Sequence, residues 1–238
     1  ATAASFADLL GRLPTPASKP WSGQRKALRE SYEAYVRPVA TPGSVKLEEV
    51  VKTVSDMLPE DGIITNGAGN YAAFVHRYTQ YKGFRSCLAP TSGSMGYGLP
   101  AAIAAKLADP TRTVINFAGD GCFMMTGQEL ATAVQYGLDV VTVVVNNGMY
   151  GTIRAHQERQ YPDRVSGTTL VNPDFAAYAR AFGAHGETVE RTEDFRPALE
   201  RALSSRKAAI IEVKTEQEAL TPRQTLSEIR AAGRKANG

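Results

Sequence analysis

"INFAGDGCFMMTGQEL", Ile115 to Leu130, places one aspartate between two glycines, after an apolar strand-like run and before a helix-like one. The same alternation extends in both directions. Upstream, Leu47, Val50, Val51, Val54 and Leu58 recur at helical spacing, followed by the short apolar run "GIITN" and the Gly/Ala-rich helix pattern "LPAAIAAKLA". Downstream come a helix pattern "GQELATAVQYG", a strand "VVTVVVN", and a helix "DFAAYARAF" capped by Asn172-Pro173 and closed by Gly183. A helix opening at Thr192 and running through "EDFRPALERAL", then the apolar strand "AAIIEV", complete the series. Strands alternating with helices require crossover connections, so the predicted fold is α/β, a doubly wound and mainly parallel sheet with helices on both faces. Ligands on such sheets bind beyond the carboxyl ends of the strands, where the Asp120 loop lies.

The flanks read differently. Residues 1–40 form an appendage without a core of its own: "FADLL", a proline-rich connector "LPTPASKP", and a helix pattern "WSGQRKALRESYEAYVR" capped by Ser22. Residues 41–220 carry the alternating pattern, and residues 221–238 form a C-terminal tail.

Length and composition narrow the function classes. The 238 residues, 43% hydrophobic and 21% charged, suit one large globular domain plus an appendage. Apolar runs are far shorter than the roughly 20 residues of a spanning helix, and no secretory signal pattern opens the chain, so no membrane association is expected. Two cysteines without CxxC spacing fit a reduced, cytoplasmic setting. The net charge of +3 is concentrated at the ends: residues 1–40 hold six Lys/Arg against three Asp/Glu, and the last 18 hold four against one. The centre is slightly acidic and offers no basic cluster for nucleic acid. A phosphate bound there needs another source of positive charge.

The spacing after Asp120 suggests that source. Twenty-four residues separate Gly121 from Asn146-Asn147, enough for a helix out and a strand back. If the two strands are neighbours, Asp120 and Asn147 offer a carboxylate and an amide oxygen across a small gap. Oxygen donors with a single carboxylate suit magnesium, which takes its remaining ligands from carbonyls, phosphates and water. Gly119 and Gly121 allow backbone N–H groups close approach to a phosphate at a helix start.

"GDG", twenty-four residues and "NN" together resemble the thiamin diphosphate motif. With "SGSMGYGLPAAIAAKLA" and "VVVNNGMYGTIR", residues 41–220 resemble the C-terminal, pyrophosphate-binding domain of the acetolactate synthase and 2-oxoacid decarboxylase superfamily. Residues 1–40 resemble the end of its central domain and the following linker. The resemblance implies that Asp120, the Asn147 side chain and the Met149 carbonyl ligate Mg2+, and that Gly119, Gly121 and Cys122 meet the diphosphate. Met95 takes the position that wedges the cofactor into a bent form, next to Ser94, and the Gly93 carbonyl accepts from its aminopyrimidine. Gly69 and Asn70, within "NGAGNY", match a diphosphate-contacting loop, and Tyr150 and Gly151 continue the segment after Asn147. The implied chemistry is decarboxylation of a 2-oxoacid, with or without ligation of the product to a second carbonyl.

Departures from the family are informative. Its activating glutamate belongs to a separate pyrimidine-binding domain, in cis or from another subunit, with no counterpart here; Glu48 and Glu49 lie on an ordinary amphipathic helix. The chain is therefore expected to be inactive alone, as a fragment or one subunit of a homodimer or homotetramer. Acetolactate synthases usually carry a tryptophan where His156 stands, before a glutamine matched by Gln157, so His156 and Gln157 are candidate substrate contacts and the 2-oxoacid is open. FAD in a full-length protein has no support in these residues.

Simpler readings stand beside these. Gly-Asp-Gly alone shapes turns, Asn147-Gly148 is a hairpin signal although "MYGTIRAHQER" does not alternate, and Met95 and Met149 could be core fillers. "GAGNYA" fits a dinucleotide fingerprint, giving an NAD-dependent oxidoreductase as an alternative, but the acidic residue expected about 20 positions on is absent. A non-catalytic interaction module of the same fold is the other alternative.

Overall fold

The computed structural model describes residues 2–15 and 17–237; Ala1, Pro16 of the connector and Gly238 lie outside the described residues. The chain divides into two compact units, residues 1–37 and 38–238. The first holds α1 (Ala3–Gly11) and α2 (Ser22–Tyr35). Thr2 and Ser5 cap α1 reciprocally. Trp21, not Ser22, occupies the N-cap of α2, and Ser22 is the first helical residue, so the expected serine cap is not made. Neither helix buries a residue within the unit.

The second unit begins with α3 (Leu47–Met57), β1 (Ile63–Asn66), α4 (Tyr71–Tyr78), β2 (Cys87–Leu88), α5 (Gly98–Ala108) and β3 (Val114–Gly119). Next come α6 (Asp120–Phe123), a 3-10 turn (Gly127–Glu129), α7 (Leu130–Gln135), β4 (Val141–Asn146), α8 (Gly151–Gln160), α9 (Phe175–Ala181) and β5 (His185–Val189), then α10 (Thr192–Ser204), β6 (Ala209–Lys214) and α11 (Leu226–Asn237). All six strands run parallel in the order β2-β1-β3-β4-β6-β5. Alternate residues of the central strands feed two cores. Ile115, Phe117, Val141, Val143 and Val145 pack with α3, α4 and α10, whereas Val114, Ala118, Val140 and Val144 pack with α5, α7 and α9. This is the doubly wound α/β sheet covered on both faces that the sequence predicts.

Two local expectations change. Asp174, not Asn172-Pro173, caps α9, its side chain accepting from the Ala177 N–H at 2.8 Å. Gly183 closes that helix in a Schellman arrangement, with φ of 81° and bonds from Gly183 N to Arg180 O and from Ala184 N to Ala179 O. The helix expected over "GQELATAVQYG" starts as the 3-10 turn and continues as α7, and Thr126 Oγ1 just before it donates to the Gly96 carbonyl at 2.7 Å. Thr192 opens α10 as expected, and it also ties the helix to the start of the unit, accepting from Lys46 N and donating to Ser44 O.

The C-terminal helix closes one side of the sheet's carboxyl edge. Leu226 and Ile229 of α11 pack with Leu220, Met149 and Ala155. Gly233 lies so close to the Glu158 carbonyl that a side chain there would collide. Glu158 is 1% exposed yet ionised, held by Arg230 at 2.9 and 3.0 Å and Arg154 at 2.8 Å. The Arg230 hydrogen bonds lead in holding its carboxyl at about 2, below the ordinary 4.5. Because this value is depressed, the contribution to stability is complete above pH 4.5 and disappears as pH falls toward 2. Arg230→Ala is expected to cost about 1.5–3 kcal/mol at neutral pH, the range for hydrogen bonds to charged groups. Urea unfolding at pH 7 and pH 2.5 checks this: the difference between variant and wild type should shrink at the acid end.

Candidate functional site

The strand order reverses direction between β1 and β3, and a cleft of about 220 Å³ opens there, beyond the carboxyl ends of the strands. Four segments that follow strands line it. Ala68, Gly69 and Asn70 follow β1; Gly119, Asp120, Gly121 and Cys122 follow β3; Asn147, Met149, Tyr150, Gly151, Thr152 and Ile153 follow β4; Thr215, Ala219 and Leu220 follow β6. Gly93 and Met95 enter from the loop before α5. Parallel pairing brings β3 and β4 level, with Gly119 opposite Val145, so Asp120 is presented to the Asn146-Gly148 turn.

Glycine is required where these segments meet. A Cβ on Gly121 would stand 2.5 Å from Tyr150 Cε1, and one on Gly119 would stand 2.9 Å from Tyr71 Cδ1. Both rings pack directly on the backbone, in the space where a side chain would stand. Gly93 adopts φ of 68°, with open space where a side chain would stand.

Asp120 is only 3% exposed. Its Oδ1 accepts from Gly121 N at 2.8 Å, and its Oδ2 accepts from Gly148 N and Asn172 Nδ2, each at 2.8 Å. Burial nevertheless raises the carboxyl above its ordinary value, outweighing the lowering by these donors. A buried carboxylate thus incompletely compensated is suited to a cation. Among the described residues no group of three or more His, Cys, Asp or Glu side chains is placed to hold a metal. A cation at Asp120 therefore draws on amide and carbonyl oxygens, water and ligand, the hard donor set of magnesium rather than the nitrogen and sulfur set of zinc. Asn147 Oδ1 accepts from Met149 N at 3.2 Å, holding the Asn147 amide in the same turn.

The opposite wall carries a donor without a partner. Asn70 Oδ1 accepts from Thr152 Oγ1 at 2.9 Å, while its Nδ2 is buried and makes no hydrogen bond. Unsatisfied buried amide groups are rare and costly, and this one belongs to a residue lining the cleft. No Lys or Arg lines the cleft. Glycines without side chains, the orphan amide and a buried carboxylate suited to a cation make a lining that fits a diphosphate with its metal ion.

Cys122 has a packing role: its Sγ accepts from Gly96 N at 3.2 Å and Tyr71 OH at 3.3 Å. Burial, then the thiol contact, pushes the Tyr71 phenol well above its usual value, so it stays a neutral donor. Of the residues singled out in the sequence, Gly69, Asn70, Gly93, Met95, Gly119, Asp120, Gly121, Cys122, Asn147, Met149, Tyr150 and Gly151 converge on the cleft. Three do not. Ser94 bonds Ser92 at 2.9 Å, His156 is on an exposed part of α8, and Gln157 pins the following loop through Ser166 O and Thr168 Oγ1. The Asn147-Gly148 hairpin does not form; Met149 pairs instead with Thr169. Thr152, Thr215 and Leu220 line the cleft without a local pattern to mark them, and Asn172, read from the sequence as a helix cap, instead bonds Asp120.

Fold and cleft together define a doubly wound α/β domain whose ligand site lies at the carboxyl edge. Residues 67–213 match the family model "Thiamine pyrophosphate enzyme, C-terminal TPP binding domain", and the chain belongs to that family. It is 34% identical over 207 residues to an acetolactate synthase large subunit of Parasynechococcus marenigrum, covering 86% of this chain and 33% of that protein. A sulfoacetaldehyde acetyltransferase of Castellaniella defragrans is 34% identical over 175 residues, covering 71% of this chain and 29% of the relative. The solved thiamine diphosphate-dependent 4-hydroxybenzoylformate decarboxylase of Rhodococcus jostii RHA1 superposes with a TM-score of 0.70 at 30% identity, over 76% of this chain and 34% of that one. The chain thus spans about a third of the length of these relatives.

Asn70→Ala removes the unpartnered donor with one hydroxyl contact, so it is expected to change stability by less than about 1 kcal/mol while weakening thiamin diphosphate binding about 10-fold to 100-fold. Thermal melts beside calorimetric titration separate the two effects.

Proposed function

We propose that this chain is the thiamin diphosphate- and Mg2+-binding part of an acetolactate synthase-like enzyme. The enzyme decarboxylates a small 2-oxoacid and can ligate the product to a second carbonyl. The observation that carries this reading is the buried Asp120 carboxylate facing the Asn147–Met149 turn, in a cleft with bare glycine backbone and no basic side chain. Asp120, Asn147 and the Met149 carbonyl hold the cation; Gly119, Gly121, Cys122, Gly69 and Asn70 form the diphosphate side; Gly93 and Met95 bear on the organic part, with Ser94 behind them. Tyr150 and Gly151 close the turn over Gly121. Bound there, thiamin diphosphate supplies a carbon nucleophile and a sink for the electrons left by departing carbon dioxide.

The described residues of the cleft bind and orient; apart from Asp120, no carboxylate lines it. Glu48 is buried and already accepts from Thr41 N at 2.8 Å and Thr41 Oγ1 at 2.7 Å. Turnover therefore needs a pyrimidine-binding domain, in cis or from another subunit of a homodimer or homotetramer, and residues 1–40 lead from a central domain into residues 41–220. His156 is free to meet substrate or a neighbouring subunit, whereas Gln157 acts on it only indirectly. The NAD alternative is disfavoured because β2 ends at Leu88 before Ala89 and Pro90, without an acidic residue to bind a ribose. No helix among the described residues is long and apolar enough to cross a membrane. With free Cys87 and Cys122, the working location is the cytoplasm.

Calorimetric titration with thiamin diphosphate, with and without Mg2+, tests the reading. Wild type should bind in a Mg2+-dependent manner, and Asp120→Ala should lose that dependence; undiminished binding by the variant would sink the proposal. Decarboxylation of pyruvate, 2-oxobutyrate or an aromatic 2-oxoacid should appear only when the pyrimidine-binding domain is supplied, and activity of the 238-residue chain alone would overturn that part.

A further inference from the structure

Asn172 lies 52 residues from Asp120 in sequence, yet its Nδ2 donates to both Asp120 Oδ2 at 2.8 Å and Asn146 Oδ1 at 2.9 Å. Asn146 Oδ1 also accepts from Gly148 N at 3.1 Å, and the Asn146 Nδ2 donates to Glu212 Oε1 at 2.6 Å. Glu212 is 1% exposed in β6; it also accepts from Lys214 Nζ at 2.5 Å and Thr188 Oγ1 at 3.1 Å. The chain of partners runs from the sheet interior to the cleft, and its polarity is fixed. A carboxylate at Glu212 accepts only, so the Asn146 amide must turn its N–H toward it and its oxygen toward Asn172. The Asn172 amide must then present N–H to Asp120.

Asn172 does not cap its own helix, and Asp174 takes that task. Its amide nitrogen donates to two residues at the tips of β3 and β4. A loop residue serving only to tether its segment needs one acceptor; bridging two fixes the angle between them. We infer that Asn172 is a positioning residue, braced through Asn146 by Glu212, which locks the orientation of the Asp120 carboxylate and thereby biases the site toward a small octahedral cation. The inference rests on Asp120 and Asn147 being cation ligands. Magnesium demands near-ideal geometry at short range, whereas calcium accepts irregular and more numerous oxygen ligands. A carboxylate free to rotate should therefore lose magnesium more than calcium. Residues that orient a ligating side chain are worth about 10-fold to 100-fold in metal affinity.

The test uses Mn2+ bound in the presence of thiamin diphosphate, read by electron paramagnetic resonance, with Mg2+ and Ca2+ as competitors. Asn172→Ala is expected to weaken Mg2+ about 10-fold to 100-fold and Ca2+ by clearly less, so that the Mg2+/Ca2+ preference falls. Asn172→Ser, polar but too short to bridge both oxygens, should do the same if the alanine variant folds poorly, with thermal melts as the check. A folded variant that keeps wild-type Mg2+ affinity, or loses both ions in parallel, overturns the inference while leaving the cation reading intact. A wild-type chain that binds no Mn2+ with thiamin diphosphate overturns both.

Discussion

Parallel pairing of β3 with β4, in register from Ile115 opposite Val141 to Gly119 opposite Val145, is the constraint on which the cleft depends. It delivers a carboxylate and the N–H groups of a tight turn to the same point without any long side chain. The register is enforced by burial. Moving β4 by one residue would exchange Val141, Val143 and Val145 with Val140, Thr142 and Val144 between two cores that are both closed by helices. Thr142 would also leave Asn116, to which it is hydrogen-bonded at 3.4 Å within the sheet. The geometry at Asp120 is therefore maintained by apolar packing some distance below it.

That geometry is electrostatically unusual. The cleft has one carboxylate and no basic lining residue, the reverse of a common phosphate site. An ammonium or guanidinium group would attract a diphosphate directly, and it would also pair with Asp120 in the ligand-free protein. The structure instead leaves Asp120 with neutral donors only, which orient the carboxylate without neutralising it. Under the proposed function the positive charge arrives with a cation from solution, which would make metal and diphosphate affinity mutually dependent. On the opposite wall, Asn70 keeps a donor free in the same way, at some expense to the stability of the chain alone.

Much of this could be read in the sequence because it depends on short-range pattern. Apolar runs placed β1, β3, β4 and β6, and the interval from Asp120 to Asn147 anticipated neighbouring strand tips. What escaped is tertiary. β2 has two residues, and β5, "HGETV", sits at the sheet edge with most side chains only partly covered, so neither carries an apolar signal. Asn172-Pro173 resembles a helix cap because asparagine is a good one, but Asp174 competes locally and wins, freeing Asn172 for partners 26 and 52 residues away. Spacing along α8 could not tell that Gln157 turns toward Ser166 while His156 faces outward.

The chain after β6 carries a further consequence of the same economy. Thr215 continues from the β6 tip, with its N–H donating to the Asn146 carbonyl at 2.9 Å, and Ala219 and Leu220 then form a wall of the cleft. Leu220 presses on Gly151, where a Cβ would stand 2.8 Å from its Cδ1, at the start of α8. Glu218 turns the chain by accepting from Leu226 N through its carbonyl and from Ser227 through its carboxylate, which starts α11 back across α8. Leu226 and Ile229 then cover the far side of Met149 and Ala155. Met149 thus lines the cleft and also packs with the last helix, so its place depends on Leu226 and Ile229 although neither lines the site.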